Sequence, residues 1–231
     1  MCIRDREIKP KGIIFLGGSV ANFQNGFSSI SVPAVLATLV SDELHFPNLS
    51  MVGVDDRAAA HTAVAHLIAQ GHSKIAVLGG PATSFPSRMR RLGAQDAMEQ
   101  AGLTFDDRLY GLSNYDFESA YHAMNSLLAR RAEFTALFAM SDVIAFGAIR
   151  ALVSAGFRVP QDVSVIGFDG ITMSRYCVPV MTTIVQPSEQ IALQSIELLI
   201  NQIEHGAPAQ TITLQPELQQ GESVCPCRHP L

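Results

Sequence analysis

The sequence predicts an α/β chain whose parallel sheets are covered by helices, and three observations carry that expectation. Short apolar runs alternate with longer stretches whose apolar residues recur at helical spacing. The runs are apolar at successive positions rather than at every second one. Glycine, or a capping Ser or Asp, stands where one element gives way to the next. A strand apolar on both faces is buried on both, which is the condition of a parallel sheet between helices. Repeated strand-helix units make this a doubly wound architecture.

In chain order, "GIIFLGG" (12–18) reads as a strand stopped by glycines. A polar, weakly periodic stretch to Ser31 follows, giving one poor helix. "PAVLATL" (33–39) and "SMVGVD" (50–55) are the next two strands. Asp55 and Asp56 cap "RAAAHTAVAHLIAQ", where Ala63, Leu67 and Ile68 share a face and Gly71 ends the helix. "KIAVLGG" (74–80) is a buried strand, 87–101 a helix ending at Gly102, "RLYGLSN" (108–114) a strand, and 117–131 a helix with its cations in the last turn. "FTALFAM" (134–140) is a strand, Ser141-Asp142 a cap, "VIAFGAIRALVSA" a helix stopped by Gly156, and "DVSVIGF" (162–168) a strand. "TTIVQ" (182–186) leads through Pro187 into a helix over 188–205, and "TITL" (211–214) is a last strand.

Composition excludes several classes. The chain has 231 residues, 48% hydrophobic and 16% charged, so it buries a core rather than remaining disordered. No apolar run reaches the roughly 20 residues of a membrane span. "MCIRDREIKPKG" has no apolar signal core, so the expected compartment is the cytoplasm. Net charge is −5 and the tight basic cluster is Arg88, Arg90 and Arg91, which is not the basic face that DNA phosphates demand. Of four cysteines, Cys2, Cys225 and Cys227 lie in the tails and Cys177 alone lies in the patterned region, so no disulfide framework is expected. Cys225, Cys227 and His229 lack the paired spacing of a zinc site, and no metal or cofactor is expected.

In sheets of this kind ligands bind beyond the carboxyl ends of the strands. Asp169 follows one strand, Ser141 and Asp142 another, and Tyr115 a third, while Arg88 and Arg90 start the helix after "KIAVLGG". Singly, Asp142 reads as a helix cap, Asp169 as a turn former and the arginines as a solvated face. Jointly, carboxylate, guanidinium and ring suit a polyhydroxylated ligand: Asp accepts from hydroxyls, Arg donates as a fixed fork, and the ring covers the apolar side of a sugar. Catalysis lacks parts. There is no G-x-S-x-G elbow, no phosphate loop and no G-x-G-x-x-G opening a helix. His61 and His66 are five apart and do not share a face, and His72 reads as a cation at a helix end.

Several linked motifs, "LIAQGH", "SD-x-x-A-x-G", "VP-x-DVSVIGFD" and "TTI-x-Q", occur in one order along 12–224, most densely over 52–186. In that order the chain resembles the effector-binding core of LacI/GalR-type transcription regulators. The resemblance implies two Rossmann-like lobes, similar to periplasmic sugar-binding proteins, crossed three times near Asp55, near Gln186-Pro187 and near Leu214, with the effector between them. Residues 9–54 and 187–213 would form a partial N-terminal lobe, and 55–186 with 214–224 the C-terminal lobe. By motif, the effector contacts would be Arg90, Tyr115, Ser141, Asp142, Asp169 and Gln186, with Gly18, Ser19, Phe85 and Arg88 at the edge. The implied function is sensing of a small, sugar-like effector by a dimer whose operator affinity responds to it.

The departures from that family pattern matter as much. Asn is common where Ser141 stands, and an acidic or polar residue where Gly170 stands. The helix-turn-helix that reads operator DNA and the first two strand-helix units have no counterpart, so the first lobe is expected to be incomplete. Residues 1–8, with "MCIRDR", fit no element and read as a non-native leader on an N-terminally truncated chain, while 225–231 is a tail without counterpart. The alternative is a solute-binding protein serving a sugar transporter, which calls for an export signal; an enzyme calls for a nucleophile and base in the same place.

Overall fold

The computed structural model describes residues 9–17 and 20–228, apart from the side chain of Asn22. Gly18, Ser19 and His229, singled out above, lie outside the described residues. The elements in order are β1 (Ile13–Leu16), α1 (Val20–Gly26), β2 (Ala34–Ala37), β3 (Leu49–Val54), α2 (Asp56–Ala69), β4 (Ile75–Gly79), α3 (Phe85–Gln100), β5 (Tyr110–Leu112), α4 (Phe117–Ala129), β6 (Ala136–Ala139), α5 (Asp142–Ser154), β7 (Ser164–Asp169), β8 (Thr182–Val185), α6 (Ser188–His205), β9 (Thr211–Leu214) and β10 (Glu217–Gln219). They fall into two compact units. One is built from the chain up to Asp55 with Pro187–Gln215, the other from Asp56–Gln186 with the chain from Pro216 onward.

The first unit holds a parallel sheet in the order β1-β2-β3-β9. Leu214, placed by the motifs where the chain returns to the second lobe, pairs with Val54 in this sheet. One face is closed by aromatic packing: Phe27 lies 5.9 Å from Phe23 and 4.7 Å from Phe46, centroid to centroid. α6 covers Val35, Ala37 and Val52 with Ile191 and Leu198. Buried Gln202 on α6 accepts a hydrogen bond from Ser50 on β3 at 3.2 Å, which satisfies a polar group taken out of water. The helix ends at Gly206 in the left-handed conformation glycine adopts without steric cost. A second apolar stripe, Leu193, Ile196, Ile200 and Ile203, runs along α6 on its exposed side. The weak periodicity between Val20 and Ser31 resolves into the two turns of α1 and a 3-10 turn over Phe27–Ser29.

The second unit holds a six-stranded sheet in the order β10-β8-β7-β6-β4-β5. It is parallel except at β10, which pairs antiparallel with β8. This edge strand, Glu-Leu-Gln, is too short and too polar to announce itself as an apolar run. The helices on the sheet come close where they carry no side chain. A Cβ on Gly93 of α3 would stand 2.0 Å from the Arg57 carbonyl oxygen of α2, so only glycine lets these two helices pack at this distance. That approach sets the site.

The chain after β10 is tied down rather than loose. Ser223 donates to the Val165 carbonyl at 2.6 Å and accepts from the Thr182 amide at 2.8 Å. His72 is not an exposed helix-end cation. It is buried, with Nδ1 2.9 Å from the Thr135 hydroxyl and Nε2 3.1 Å from the Cys225 carbonyl oxygen. A carbonyl only accepts, so Nε2 carries the proton. Burial lowers the pKa of His72, against the opposing pull of the Cys225 carbonyl. Cys177, Cys225 and Cys227 are free thiols.

Candidate functional site

The carboxyl ends of β4, β6, β7 and β8 bring four sequence-distant groups together in the second unit, and a buried arginine organises them. Arg90 lies in the second turn of α3, and the close α2–α3 crossing puts the first residue of α2 beside it. Arg90 Nε donates to Asp56 Oδ1 at 2.7 Å and Nη1 donates to the Met140 carbonyl at the end of β6. Nη1 is also 3.6 Å from Asp169 Oδ1, and the guanidinium carbon lies 3.6 Å from the Phe168 ring centroid. Burial alone would lower the Arg90 pKa. Asp56 and Asp169 outweigh it and the guanidinium is held more firmly charged than usual. Buried charge of this kind is tolerated only with paired and hydrogen-bonded partners, which Arg90 has on three sides.

Asp169, the last residue of β7, is the open end of this arrangement. Its side chain keeps 27% of its surface accessible where that of Arg90 keeps 7%. Burial raises its pKa, against the lowering effect of Arg90 and Gln186. Gln186 holds it twice, through Nε2 to Oδ1 at 2.7 Å and backbone N–H to the Asp169 carbonyl at 3.0 Å. The backbone of Asp169 is at φ 110°, a region that non-glycine residues enter at a cost of about 1–3 kcal/mol, sustained only where the surroundings over-determine it. Tyr115 is a second such residue, at φ 60°. Its hydroxyl is 2.7 Å from that of Ser87, and a Cβ on Gly80 would fall 2.0 Å from its ring. The ring therefore lies directly on the glycine backbone at the end of β4.

The other expected residues have different places. Ser141 is buried and caps α5, accepting from the Ile144 amide at 3.1 Å. Asp142 is fully buried. Its Oδ1 accepts from Thr183 at 2.6 Å and its Oδ2 from the Ile171 amide at 2.9 Å. Both residues reach the same strand ends, with their polar atoms already committed to the fold. Phe85 is buried at the start of α3, with the Arg88 guanidinium 5.4 Å from its ring. The three clustered arginines thus do three different things. Arg90 is interior, Arg88 is on the surface over Phe85, and Arg91 pairs with Asp107 at 2.8 Å beside Tyr110.

Three participants were not singled out from the sequence as site residues: Asp56, Phe168 and Thr183. The doublet Asp55-Asp56 held the signal for one of them, since two carboxylates at a helix start exceed what one cap requires. Phe168 and Thr183 are indistinguishable in sequence from ordinary strand interior. Among the described residues, no group of three or more His, Cys, Asp or Glu is placed to hold a metal ion, and no helix is long and apolar enough to cross a membrane.

A family model described as periplasmic binding protein-like domain matches residues 64–224. The chain is 34% identical over 220 residues to the HTH-type transcriptional regulator MalR of Clostridium butyricum, covering 94% of this chain and 66% of that one. Its structure is similar to that of the transcriptional regulator CelR in complex with cellobiose, with TM-score 0.84 and 28% identity over 92% of this chain and 65% of that one. A sugar-binding transcriptional regulator of the LacI family from Escherichia coli, complexed with phosphate, matches with TM-score 0.82 and 29% identity, covering 97% and 80% of the two chains. The chain spans between about half and about two thirds of the length of the curated regulators it matches.

Proposed function

The chain belongs to the periplasmic-binding-protein-like domain family in the form carried by LacI-type transcription regulators, and on that premise we propose that it is the effector-sensing core of such a regulator. A small molecule of the sugar class binds over the carboxyl edge of the second unit. Asp169 accepts from its hydroxyls, Arg90 donates from beneath, Gln186 holds Asp169 in place, and Tyr115 supplies an apolar face. Ser141 and Asp142 shape the edge from below. The observation that carries this reading is the Arg90–Asp169 pair, in which a buried guanidinium fixes a partly open carboxylate on strained backbone. A neutral polyol gains from both groups without having to displace a charge.

The relatives are regulators rather than enzymes, and binding in such a protein acts by linkage: an effector that prefers one conformation shifts the population of that conformation and with it the affinity for operator DNA. Two copies of the chain would place two DNA-reading parts, which lie outside the region matched here, on a two-fold operator.

Isothermal titration of the full chain with cellobiose and a panel of neutral saccharides, set against a panel of purines and nucleosides, tests the reading. A saccharide should bind, and Asp169→Asn should weaken it by about tenfold or more, the value of a hydrogen bond to a charged group. Binding by purines alone would move the ligand class. Unchanged saccharide affinity in Asp169→Asn would remove this carboxylate from the site.

A further inference from the structure

We propose that Asp142 is the positioning residue of the effector edge: its carboxylate clamps the start of α5 to β8 and to the backbone just after Asp169, so that this segment keeps its conformation only while Asp142 is charged. The functional meaning rests on reading Asp169 as an effector contact; the clamp itself does not.

The carboxylate is sealed from solvent and faces donors on two other elements. The Thr183 hydroxyl reaches Oδ1 from β8 at 2.6 Å, and the Ile171 amide reaches Oδ2 from the loop after β7 at 2.9 Å. On its remaining side it fills the notch left by Gly167, where a Cβ would stand 2.2 Å from Oδ1. Protonation turns an acceptor into a donor in a site built of donors. The Thr183 hydroxyl can rotate to meet that change, since the Ile184 carbonyl lies 3.5 Å away as a weak second acceptor. A backbone amide cannot turn, so Ile171 is left on a neutral, weaker acceptor. Ile171 is two residues from Asp169, and loosening its amide loosens the loop that continues the strained backbone.

The charged state of this clamp is open to mild acid. The Asp142 carboxyl is raised to about 6: burial pushes it up, the Thr183 hydroxyl and the Ile171 and Gly170 backbone amides pull it down, and Asp169 pushes it up. Cys177 in the following loop also interacts with it, its thiol raised by burial, and the nearest cation described is Arg90, which binds the Met140 carbonyl two residues before Asp142. Across pH 5 to 8 the guanidinium stays charged and the thiol stays neutral, while the Asp169 carboxyl, which burial also raises, is told apart by Thr183→Val, whose lost hydroxyl bonds Asp142.

The test is amide hydrogen exchange at Gly170 and Ile171 in the full chain, expressed as protection factors between pH 5 and 8, with no effector needed. In the wild-type protein protection should fall about tenfold as pH drops through a midpoint near 6: the local opening that frees the Ile171 amide leaves Asp142 buried and takes away a donor that lowers its pKa, so protonation favours the open form, whereas unfolding of the whole unit returns the carboxylate to water and has the opposite pH dependence. Asp142→Asn should show low protection at every pH and no transition. Thr183→Val keeps the shape of the side chain and removes one donor to the carboxylate, so the midpoint should move upward by on the order of one pH unit. Flat wild-type protection overturns the proposal, as does an unmoved midpoint in Thr183→Val, and this second variant decides the matter even if Asp142→Asn fails to fold. Failure of saccharide binding with the transition intact would instead overturn the effector reading alone.

Discussion

Replacing Arg90 with methionine keeps much of the side-chain stem and removes the charge, and the structure says what is then stranded. The Asp56 side chain, 4% accessible, loses the partner 2.7 Å away, Asp169 loses a cation at 3.6 Å, and the Met140 carbonyl loses a donor. Breaking a buried ion pair from one side costs about 3–5 kcal/mol, because the remaining charge stays buried without compensation. With a urea slope of about 2 kcal/mol/M, the midpoint should fall by about 2 M. The readout is specific: there is no Trp, and Tyr110, Tyr115, Tyr121 and Tyr176 all lie in the second unit, so intrinsic tyrosine emission reports that unit alone. The pH dependence has a sign as well. Without Arg90 the largest influence lowering the Asp169 pKa is gone and burial raises it further. A carboxyl raised above its unfolded value loses stability as pH rises through the folded pKa, so the deficit should be larger at pH 8 than at pH 5. Adding Asp56→Asn to Arg90→Met should recover part of the loss by removing one of the stranded charges. A single variant within about 1 kcal/mol of wild type, or a double variant no more stable than the single one, would refute the account of Arg90 as the buried organiser of the site.

Three other outcomes are expected. His72 has a lowered folded-state pKa, so below the unfolded value of 6.5 the unfolded chain takes up protons that the folded chain refuses; this contribution, like that of His66, lowers the urea midpoint between pH 7 and 5.5 against the opposite contribution of the raised Asp142 and Asp169 carboxyls, so the stability of His72→Gln relative to wild type should rise across that window as pH falls. Ser223→Ala leaves the buried Val165 carbonyl and Thr182 amide short of a partner and should cost about 1–3 kcal/mol by urea denaturation followed through tyrosine emission. Gly93→Ala gains about 1 kcal/mol of helix propensity but forces a methyl against the Arg57 carbonyl, and overpacking of about 1–3 kcal/mol should win, lowering the thermal midpoint and weakening saccharide binding through the displaced Asp56–Arg90 pair.

Much of the fold was legible because its signals are local. Pro187 and Gly206 bracket α6, and the apolar run from Val165 to Phe168 can only be an interior strand. β10 was not legible, since Glu217-Leu218-Gln219 becomes a strand only through the β8 edge it meets. The site divides along the same line. Asp169 and Tyr115 could be placed because they follow strands, and following a strand is a sequence property. Their partners could not. Asp56 meets Arg90 across 34 positions through a helix crossing that depends on one glycine, and nothing at either position names the other. His72 misled for a related reason: after a helix-ending glycine a histidine is commonly solvated, and the chain that buries it arrives 153 residues later.

That late arrival belongs to a wider pattern of order in time. The middle of the second unit, Asp56–Gln186, is one unbroken stretch, whereas the first unit needs α6 and β9 from the far side of it. During synthesis from the amino end, β1, β2 and β3 leave the ribosome long before the helix that covers Val35, Ala37 and Val52 exists. Five strands of the second sheet can assemble first, while the earlier strands wait with an apolar face uncovered, the circumstance in which nascent chains recruit chaperones. A nascent chain stalled with Gln186 already clear of the ribosome exit tunnel should therefore carry a second unit more protease-resistant than the first, and one stalled with Gln215 clear of it, fewer than 30 residues later, should show the first unit's resistance rise as well.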